Sequence, residues 1–310
     1  MAIRIGISGW RYARWRGTFY PAGLAQRREL EYAAGCFPSV EINGSFYSLQ
    51  RPESFQRWHD ETPDDFVFSV KGPRFITHMK RLRDCDQALA NFFASGVLRL
   101  GAKLGPILWQ LPPTLRFDAD LLDAFLSSLP RDSEVALALA HKRDTALMQG
   151  RSALAIDHQR PIRHALEVRH DSFCDLACMR LLRRHNVAVI VADTAGKFPY
   201  LEDVSADFVY LRLHGDAQLY ASGYSDSALD RWAARIAAWA SGGEPDDAAR
   251  VGAQARLARC LLLLRQRHEG ACAVRCARFD ATAAIAYRLP ATRRHLEQRT
   301  NQLRRPGARG

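Results

Sequence analysis

The sequence predicts an α/β protein, a (β/α)8 barrel of the TIM type built as a single domain. Two observations lead to this prediction. Seven short apolar runs alternate with longer segments whose apolar residues recur at steps of three and four. In addition, no G-x-G-x-x-G turn follows the first run, so a closed barrel is favoured over an open dinucleotide-binding sheet.

The apolar runs are the candidate strands. They are short and separated by segments long enough to hold a helix, which is typical of parallel strands joined by crossover helices. They span residues 3–8, 39–43, 66–71, 107–111, 164–168, 188–193 and 208–213, with CLLLL at 260–264 as a possible eighth strand.

The periodic segments between the runs are the candidate helices. Asp118 and Ser225 stand directly before two of these patterns, and both residue types cap the first turn of a helix. Residues 131–160 are predicted to hold an inserted helix and an irregular segment before the fifth strand. The barrel is expected to span residues 1–290, followed by a basic tail at 291–310. The clearest helical segments are 26–37, 52–61, 86–98, 118–129, 175–185 and 225–239.

Composition excludes several classes of protein. The chain has 310 residues and 47% hydrophobic content, which is enough for one large core. Its seven cysteines are an odd number without a C-x-x-C pair, so neither a disulfide framework nor a zinc ribbon is expected. No apolar stretch approaches the roughly 18 residues of a membrane helix, and the first residues do not resemble a secretory leader. We therefore expect a cytoplasmic protein with no membrane partner.

The net charge of +11 is concentrated at the end of the chain. Residues 251–310 hold 13 arginines and three acidic residues, so the rest of the protein is close to neutral. Charge of this kind binds phosphates without reading bases. We expect weak, sequence-independent nucleic-acid binding at most, carried by this segment, and the sequence leaves the oligomeric state open.

Polar side chains stand at the ends of the second to the seventh candidate strands. Barrel strands alternate inward and outward residues, and active sites lie at the carboxyl ends of the strands. On this parity, one end of the barrel is expected to hold a ring of inward-facing polar side chains. The ring consists of Glu41, Asn43, Ser69, Lys71, Gln110, Glu167, Arg169, Asp193, Tyr210, Arg212 and His214.

Two interpretations of this ring remain open. The charges could pair with one another and form a buried ion-pair network that closes the barrel. Alternatively they could form a pocket for a small polar or anionic molecule, with Arg169 and Arg212 binding the anion. No nucleotide-cofactor motif is present, and a divalent metal is conceivable but not favoured because the ring has as many cations as carboxylates. The candidate catalytic residues are Glu41, Lys71, Glu167 and His214.

The first loop, GWRYARWRGTFYP from Gly9 to Pro21, contains five aromatic residues and three arginines. These aromatic residues either wall the mouth of the site or pack the loop on the first helix. The loops after the second, third and seventh strands add further candidates at the mouth. The candidate substrate-binding residues are Trp10, Tyr12, Asn43, Tyr47, His78, Gln110, Arg169, Asp193, Arg212, Tyr220 and Tyr224.

Several strings occur in an order that resembles a known family. They are GWRYARWRGTFYP, VEINGSFY, FVFSVKGPRFITH, LGPILWQLPP, RHALEVRHDSF, VADT and YLRLHG, between residues 3 and 243. Together they resemble the domain of unknown function 72 (YecE-like) family of TIM-barrel proteins. The resemblance implies the barrel, and it implies no reaction and no catalytic residue.

The resemblance breaks at the eighth strand. The family pattern ends this strand in Tyr-Phe-Asx-Asn, whereas residues 258–278 here read ARCLLLLRQRHEGACAVRCAR. A local reading-frame slip and genuine divergence both fit this string. In either case residues 260–264 are apolar enough to close the barrel, and Arg265 takes the place of an amide side chain.

Two classes of function are compatible with these features. The first is an isomerase, lyase or hydrolase that uses the polar ring on a small anionic, sugar-like or phosphorylated substrate by acid–base chemistry. The second is a non-enzymatic protein that binds a ligand or nucleic acid through aromatic and arginine side chains at the mouth.

Overall fold

A computed structural model describes residues 2–215, 224–252 and 260–265. The predicted α/β class is confirmed, and β1 to β7 form a curled parallel sheet in which each strand pairs with the next along the chain. The strands are β1 Ala2–Ser8, β2 Ser39–Ile42, β3 Val67–Lys71, β4 Leu104–Gln110, β5 His164–Glu167, β6 Ala188–Asp193 and β7 Phe208–Leu213.

The helices lie between the strands, as their periodicity predicts. Aromatic side chains of α3 and α4, such as Phe55 and Phe92, share one hydrophobic cluster with the strand residues Val40 and Phe68. No helix in the described part of the chain combines the length and the apolar character needed to cross a membrane. The helices are α1 Glu29–Cys36, α2 Gly44–Tyr47, α3 Pro52–Asp60, α4 Asp86–Ala94, α5 Ala119–Ser128, α6 Ser133–His141, α7 Leu176–Arg184 and α8 Asp226–Ala240.

Both predicted helix caps are present. Asp118 Oδ1 accepts a hydrogen bond from the backbone N–H of Leu121 at 3.0 Å, and Ser225 Oγ accepts one from Ala228 at 3.2 Å. Each bond satisfies a backbone donor that has no partner within its own helix.

The fourth strand begins earlier than the sequence predicts. It starts at Leu104 rather than residue 107, because the register between β3 and β4 shifts between Phe68 and Val70. Such a shift accommodates Pro106, which has no backbone N–H to donate to its neighbour. The Pro106 carbonyl instead accepts a hydrogen bond from Ser69 Oγ at 2.9 Å.

The segment before β5 contains α6 followed by an irregular stretch. Asp132 Oδ1 caps α6 by accepting from the N–H of Val135 at 2.9 Å, and Asp132 also forms an isolated β-bridge with Pro161. The two ends of the segment are therefore held together beside the sheet.

Residues Cys260–Arg265 form a further strand, β8. This strand pairs in parallel with β1 on one side and with β7 on the other. The altered string after Arg265 and the basic tail at 291–310 lie outside the described residues.

The first loop packs on α1. Trp15, Phe19 and Tyr20 are all nearly buried, and the Phe19 and Tyr20 rings lie 5.4 and 5.8 Å from that of Tyr32 in α1. The loop begins at Gly9, whose φ of +78° is a conformation that a side chain would strain. For these three residues the structure matches the packing interpretation of the loop.

The first two strands approach closely at Gly6. A Cβ atom built on Gly6 would lie 2.2 Å from the backbone oxygen of Ser39 and 2.3 Å from its Oγ. Two strands of the sheet cannot separate at this point without losing their ladder of hydrogen bonds. Gly6 is therefore required by the packing between β1 and β2.

We predict that Gly6→Ala lowers the free energy of unfolding by about 1–3 kcal/mol through overpacking. Gly243→Ala is the matched control, because its Cβ would be 3.4 Å from its nearest neighbour, an ordinary contact. The control is expected to stay within about 0.5 kcal/mol of the parent. Denaturant unfolding measures both variants, and equal stabilities would contradict this account of the strand packing.

Candidate functional site

Arg212, on β7, lies at the centre of a buried charge network. Its side chain is fully buried, and it donates to Glu41 through Nη2 at 2.8 Å and through Nε at 3.1 Å. Its Nη1 donates to Glu167 Oε2. Burial disfavours the charged guanidinium, but the two carboxylates outweigh burial and hold the pKa of Arg212 above its usual value. One cation thus joins β7 to the residues on β2 and β5.

Glu41 has further partners on both of its oxygens. Ser8 Oγ donates to Oε1, and Tyr210 Oη donates to Oε2 at 2.7 Å. Burial raises the pKa of Glu41, but Arg212 outweighs this effect and the net shift is downward. Glu41 is therefore an ion whose lone pairs are already occupied.

Asn43 continues this network toward the loop after β2. Its Nδ2 donates to Ser8 Oγ at 2.8 Å, and the Ser8 proton is directed to Glu41. The serine oxygen must accept, so the amide nitrogen of Asn43 faces it. The Asn43 Oδ1 atom is buried and accepts no hydrogen bond from any residue that the structure describes.

Glu167 is held in the same manner. Its Oε1 accepts from Gln110 Nε2 at 2.8 Å and from Arg169 Nε at 2.9 Å. Burial raises its pKa, yet Arg212 and then Arg169 outweigh burial and lower it strongly. Neither carboxylate suits proton abstraction near neutral pH, because each is stabilised as an ion by arginine.

The same bonds reduce the capacity of these carboxylates to hold a metal. A divalent cation would have to displace arginine from Glu41 or Glu167. Within the described ranges, no cluster of three or more His, Cys, Asp or Glu side chains is placed to ligate a metal ion. The carboxylates of the network therefore fit arginine rather than a divalent metal ion.

Lys71, at the end of β3, differs from the arginines. It is 6% exposed, and its Nζ lies 4.1 Å from the centre of the Phe46 ring. No described carboxylate forms an ion pair with it, and no described group accepts a hydrogen bond from its Nζ. Burial, followed by repulsion from Arg212, lowers the pKa of Lys71 to about 8. Lys71 is therefore the ring group whose pKa lies closest to neutral pH.

Phe46 connects Lys71 to two predicted residues of the mouth. The Phe46 ring contacts His78 edge-on at 5.2 Å and Tyr47 edge-on at 5.1 Å. Tyr47 is 71% exposed, whereas burial, followed by Arg169 and Lys71, lowers the pKa of His78 to about 4. His78 is thus a neutral imidazole beside a group of cations.

His214 follows β7 and lies close to Arg212. Its Nε2 is 3.4 Å from Arg212 Nη1. Burial, followed by the charge of Arg212, lowers the pKa of His214 to about 3. His214 is therefore a second neutral imidazole in this region.

Asp193 and Tyr224 lie in an adjoining region. Tyr224 is buried, and its hydroxyl donates to Asp193 Oδ2 at 2.8 Å. Asp193 lines a cavity of about 280 Å³ together with Phe198, Arg231 and other residues after β6 and on α8. The Arg169 guanidinium lies 4.6 Å from the centre of the Phe198 ring, so Phe198 joins this cavity to the charge network.

The two candidates from the first loop occupy different positions. Trp10 is 7% exposed and packs edge-on against Trp58 of α3 at 5.4 Å. Tyr12 is half-buried and donates to the backbone oxygen of Ser8. Burial, followed by Glu41, raises the pKa of Tyr12 to about 12, which places it near the network. The structure therefore separates Trp10, a packing residue, from Tyr12.

The structure brings most of the predicted residues together at one end of the sheet. Trp10 lies apart from them, Asp193 and Tyr224 adjoin them, and Tyr220 lies outside the described residues. Three contributors were not among the predicted site residues: Ser8, Phe46 and Phe198. Ser8 could have been predicted from the sequence, because it ends β1 just as Lys71 ends β3. Phe46 and Phe198 could not, since contacts of rings in different loops produce no regular spacing of residues in the sequence. The residues brought together are Tyr12, Asn43, Glu41, Tyr47, Lys71, His78, Gln110, Glu167, Arg169, Arg212 and His214.

Sequence comparison relates the chain to two bacterial proteins with UPF0759 names. It is 33% identical over 140 residues to UPF0759 protein YecE of Escherichia coli strain K12, covering 45% of this chain and 48% of YecE. It is 30% identical over 116 residues to UPF0759 protein YunF of Bacillus subtilis strain 168, covering 36% of this chain and 40% of YunF. The chain thus spans about half the length of these relatives, or somewhat less.

Solved structures match over most of the chain. A DUF72 family protein from Thermotoga maritima (TM1631) superimposes with a TM-score of 0.66 at 21% identity, covering 91% of this chain and 99% of its own. A DUF72 family protein from Enterococcus faecalis V583 (EF0366) gives a TM-score of 0.63 at 14% identity, covering 91% and 94%. The family model described as "Protein of unknown function DUF72" matches residues 4–285. The chain belongs to the DUF72 family, and it shares the fold of these two structures.

Proposed function

We propose that the charge network and Lys71 form the active site of an enzyme that acts on a small polar or anionic substrate, sugar-like or phosphorylated, by acid–base chemistry. The observation that carries the proposal is Lys71, a buried amine with no carboxylate partner among the described residues. It lies beside two carboxylates that are already bonded to arginine. The proposal rests on this site rather than on the fold, because one fold serves many functions.

We further infer that the sheet closes as an eight-stranded TIM-type barrel, with β8 as the last strand. The pairing of Cys260–Arg265 with both β1 and β7 supports closure. In barrels of this type the active site lies at the carboxyl ends of the strands. Glu41 lies within the last two residues of its strand, and Lys71 and Glu167 each end theirs, so all three lie at that end.

The distribution of charge favours an anionic ligand. Glu41 and Glu167 offset the charges of Arg212 and Arg169, so among these five side chains a protonated Lys71 leaves one positive charge in excess. An unpaired buried charge costs several kcal/mol, on the order of what one broken buried ion pair costs. An anion bound beside Lys71 would offset this cost, because it would supply the missing counter-charge.

The proposed roles follow from the pKa shifts. Glu41 and Glu167 hold Arg212 and Arg169 in place, whereas Lys71 moves protons because its pKa lies near the working pH. Arg169 binds the anionic group, and Asn43 Oδ1, which has no partner among the described residues, accepts a hydrogen bond from a substrate hydroxyl. His214 is neutral and serves as a hydrogen-bond donor rather than a strong base.

A binding protein without turnover would use the same anion site. A thermal-shift screen of phosphorylated metabolites and sugars finds the ligand, because a ligand of the native state raises the melting temperature. Conversion of a hit by the parent protein, and its loss in Lys71→Met, is the result expected of the enzyme. Tight binding of a hit that is never converted would overturn the proposed acid–base reaction.

Lys71→Met is predicted to retain or gain stability and to lose anion binding. The substitution removes an unpaired buried charge and leaves apolar volume in its place. Lys103→Met is the matched control, because Lys103 is 3% exposed and its Nζ donates to the backbone oxygens of His59 and Thr62 at 2.5 and 2.8 Å. That variant is expected to lose about 1–3 kcal/mol for the carbonyls left unpaired. Denaturant unfolding and calorimetry with sulfate measure both properties, and a large loss of stability in Lys71→Met would refute the unpaired lysine.

Arg212→Met is predicted to destabilise the protein by about 3–5 kcal/mol, because it leaves two buried carboxylates without their cation. The effect should diminish below about pH 4, because the carboxylates of the folded variant have lost their cation and take up protons there, whereas Arg212 keeps those of the parent ionised. Arg28→Met is a control on a surface pair with Glu31, expected to cost less than about 1 kcal/mol. Unfolding curves between pH 3 and 7 provide the measurement; a surface-like cost for Arg212→Met would contradict the network.

Sulfate binding is predicted to weaken as the pH rises through about 8, since the folded protein then loses the proton of Lys71. Below that pH the ammonium is present and the affinity is constant. Sulfate is the suitable probe because its own charge does not change in this range. In Lys71→Arg the guanidinium stays charged, so the affinity is expected to remain flat from pH 7 to 9.5. A parent protein with the same flat profile would show that Lys71 does not titrate there.

A further inference from the structure

We propose that Lys71 is a nucleophile that forms a covalent imine with the carbonyl carbon of a small anionic aldehyde or ketone. This inference rests on the proposed function and assigns it a class of substrate. It goes beyond acid–base catalysis because the amine itself bonds to the substrate. Amines in this role must be partly neutral at the working pH and must be held at a defined position.

The backbone fixes the position of Lys71. Its carbonyl oxygen accepts a hydrogen bond from Ser45 Oγ at 2.6 Å, and the N–H of the next residue, Gly72, donates to Leu108 at 2.8 Å. Gly72 packs directly on Trp109, since a Cβ atom there would lie 2.4 Å from the indole ring. These contacts allow the lysine side chain to move while its Cα stays in place.

The surroundings of the Lys71 amine suit a nucleophile better than a structural cation. Its Nζ lies on the face of Phe46, which replaces water on one side. Lys103 shows that burial alone does not leave a lysine amine without hydrogen-bond acceptors. It is also buried, but its Nζ donates to two backbone carbonyls. Lys71 has no such bond among the described residues.

The neighbouring residues suit a carbonyl compound with an anionic group. Arg169 is 15% exposed along its side chain, and Glu167 uses only part of its guanidinium. Arg169 can therefore bind the carboxylate or phosphate of the substrate while the carbonyl carbon of the same molecule faces Lys71. Asn43 Oδ1, which no described residue occupies, can accept a hydrogen bond from the hydroxyl of the carbinolamine that forms first.

The proposed step conserves atoms and charge. The neutral amine adds to the carbonyl carbon, and a proton passes from nitrogen to the former carbonyl oxygen to give the carbinolamine. The carbon–oxygen bond then breaks, and the oxygen leaves as water. Starting from the ammonium form, two of its three protons leave in that water and the third stays on the iminium nitrogen. The site therefore holds one positive charge before and after the step, and no oxidant or reductant is needed.

Reductive trapping tests the proposal on the full chain. The protein is incubated with pyruvate and sodium cyanoborohydride at neutral pH, and all five lysines are followed by peptide mass spectrometry. We expect labelling of Lys71 at least about ten-fold faster than that of the exposed Lys142, because a pKa of about 8 gives a neutral fraction about a hundred-fold larger than that of a free lysine side chain in water. The buried Lys103 shows whether burial alone accelerates labelling. Acetone, a ketone without an anionic group, shows whether the carboxylate of pyruvate is needed. Excess sulfate should suppress the labelling by pyruvate.

Lys71→Arg separates this inference from the proposed function. The variant keeps the positive charge but cannot form an imine, so it should bind sulfate and lose the adduct. Sulfate binding that depends on Lys71, without an adduct on the parent protein, would overturn the imine and leave the anion site standing. Labelling of Lys71 no faster than that of Lys142 would do the same. Absence of both sulfate binding and the adduct would overturn both proposals.

Discussion

A guanidinium with no access to water requires counter-charges that cannot move away, and Arg212 is such a group. Its charge is held by Glu41 and Glu167, which stand on β2 and β5. Each of these acids in turn needs further donors, and Tyr210 and Gln110 supply them. Removal of Arg212 leaves two buried carboxylates without their cation, which costs more than the intact network contributes. The curvature of the sheet and the composition of its carboxyl end therefore depend on each other.

This network changes the roles that the residue types suggest. Two glutamates beside a histidine resemble an acid–base pair or a metal site when only the sequence is considered. In the structure both glutamates are fixed as ions, and His214 is kept neutral by burial and by Arg212. The interpretation of the ring as a buried ion-pair network thus describes four of its members. They are Glu41, Glu167, Arg169 and Arg212. Lys71 is the exception, because the carboxylates near it are already paired with arginine, and this difference is the basis of both functional proposals.

The packing around the network limits how far its members can move. The first loop is held on α1 by edge-on contacts between aromatic rings, and Trp10 is held on Trp58 of α3. Next to Lys71 in the chain, Trp109 fills the space that a side chain at position 72 would need. Close-packed aromatic residues leave few alternative positions for the backbone. The polar side chains are therefore presented by a rigid layer, while Tyr47 and the loops above it remain accessible to a ligand.

Much of the fold could be predicted from the sequence because strand and helix periods are local properties. All seven main strands lie where the apolar runs predict them, and the caps at Asp118 and Ser225 are made as expected. The start of β4 was predicted three residues late, because Pro106 resembles a strand boundary until a register shift with β3 accommodates it. Parity along the strands also identified the members of the ring, since side chains alternate at every residue of a strand.

Pairing within the ring was decided only by the tertiary structure. Nothing local distinguishes Lys71 from Arg212, as both are basic residues at the end of an apolar strand. Their difference arises because Arg212 meets two carboxylates from distant strands, whereas Lys71 meets the ring of Phe46. Likewise, no spacing in the sequence separates Trp10, which packs against a helix, from Tyr12, which reaches the network. The sequence by itself determined which strand residues face the interior, because side chains alternate between the two faces along a strand. The three-dimensional fold decided which of them are neutralised, because charge compensation depends on distances between segments far apart in the chain.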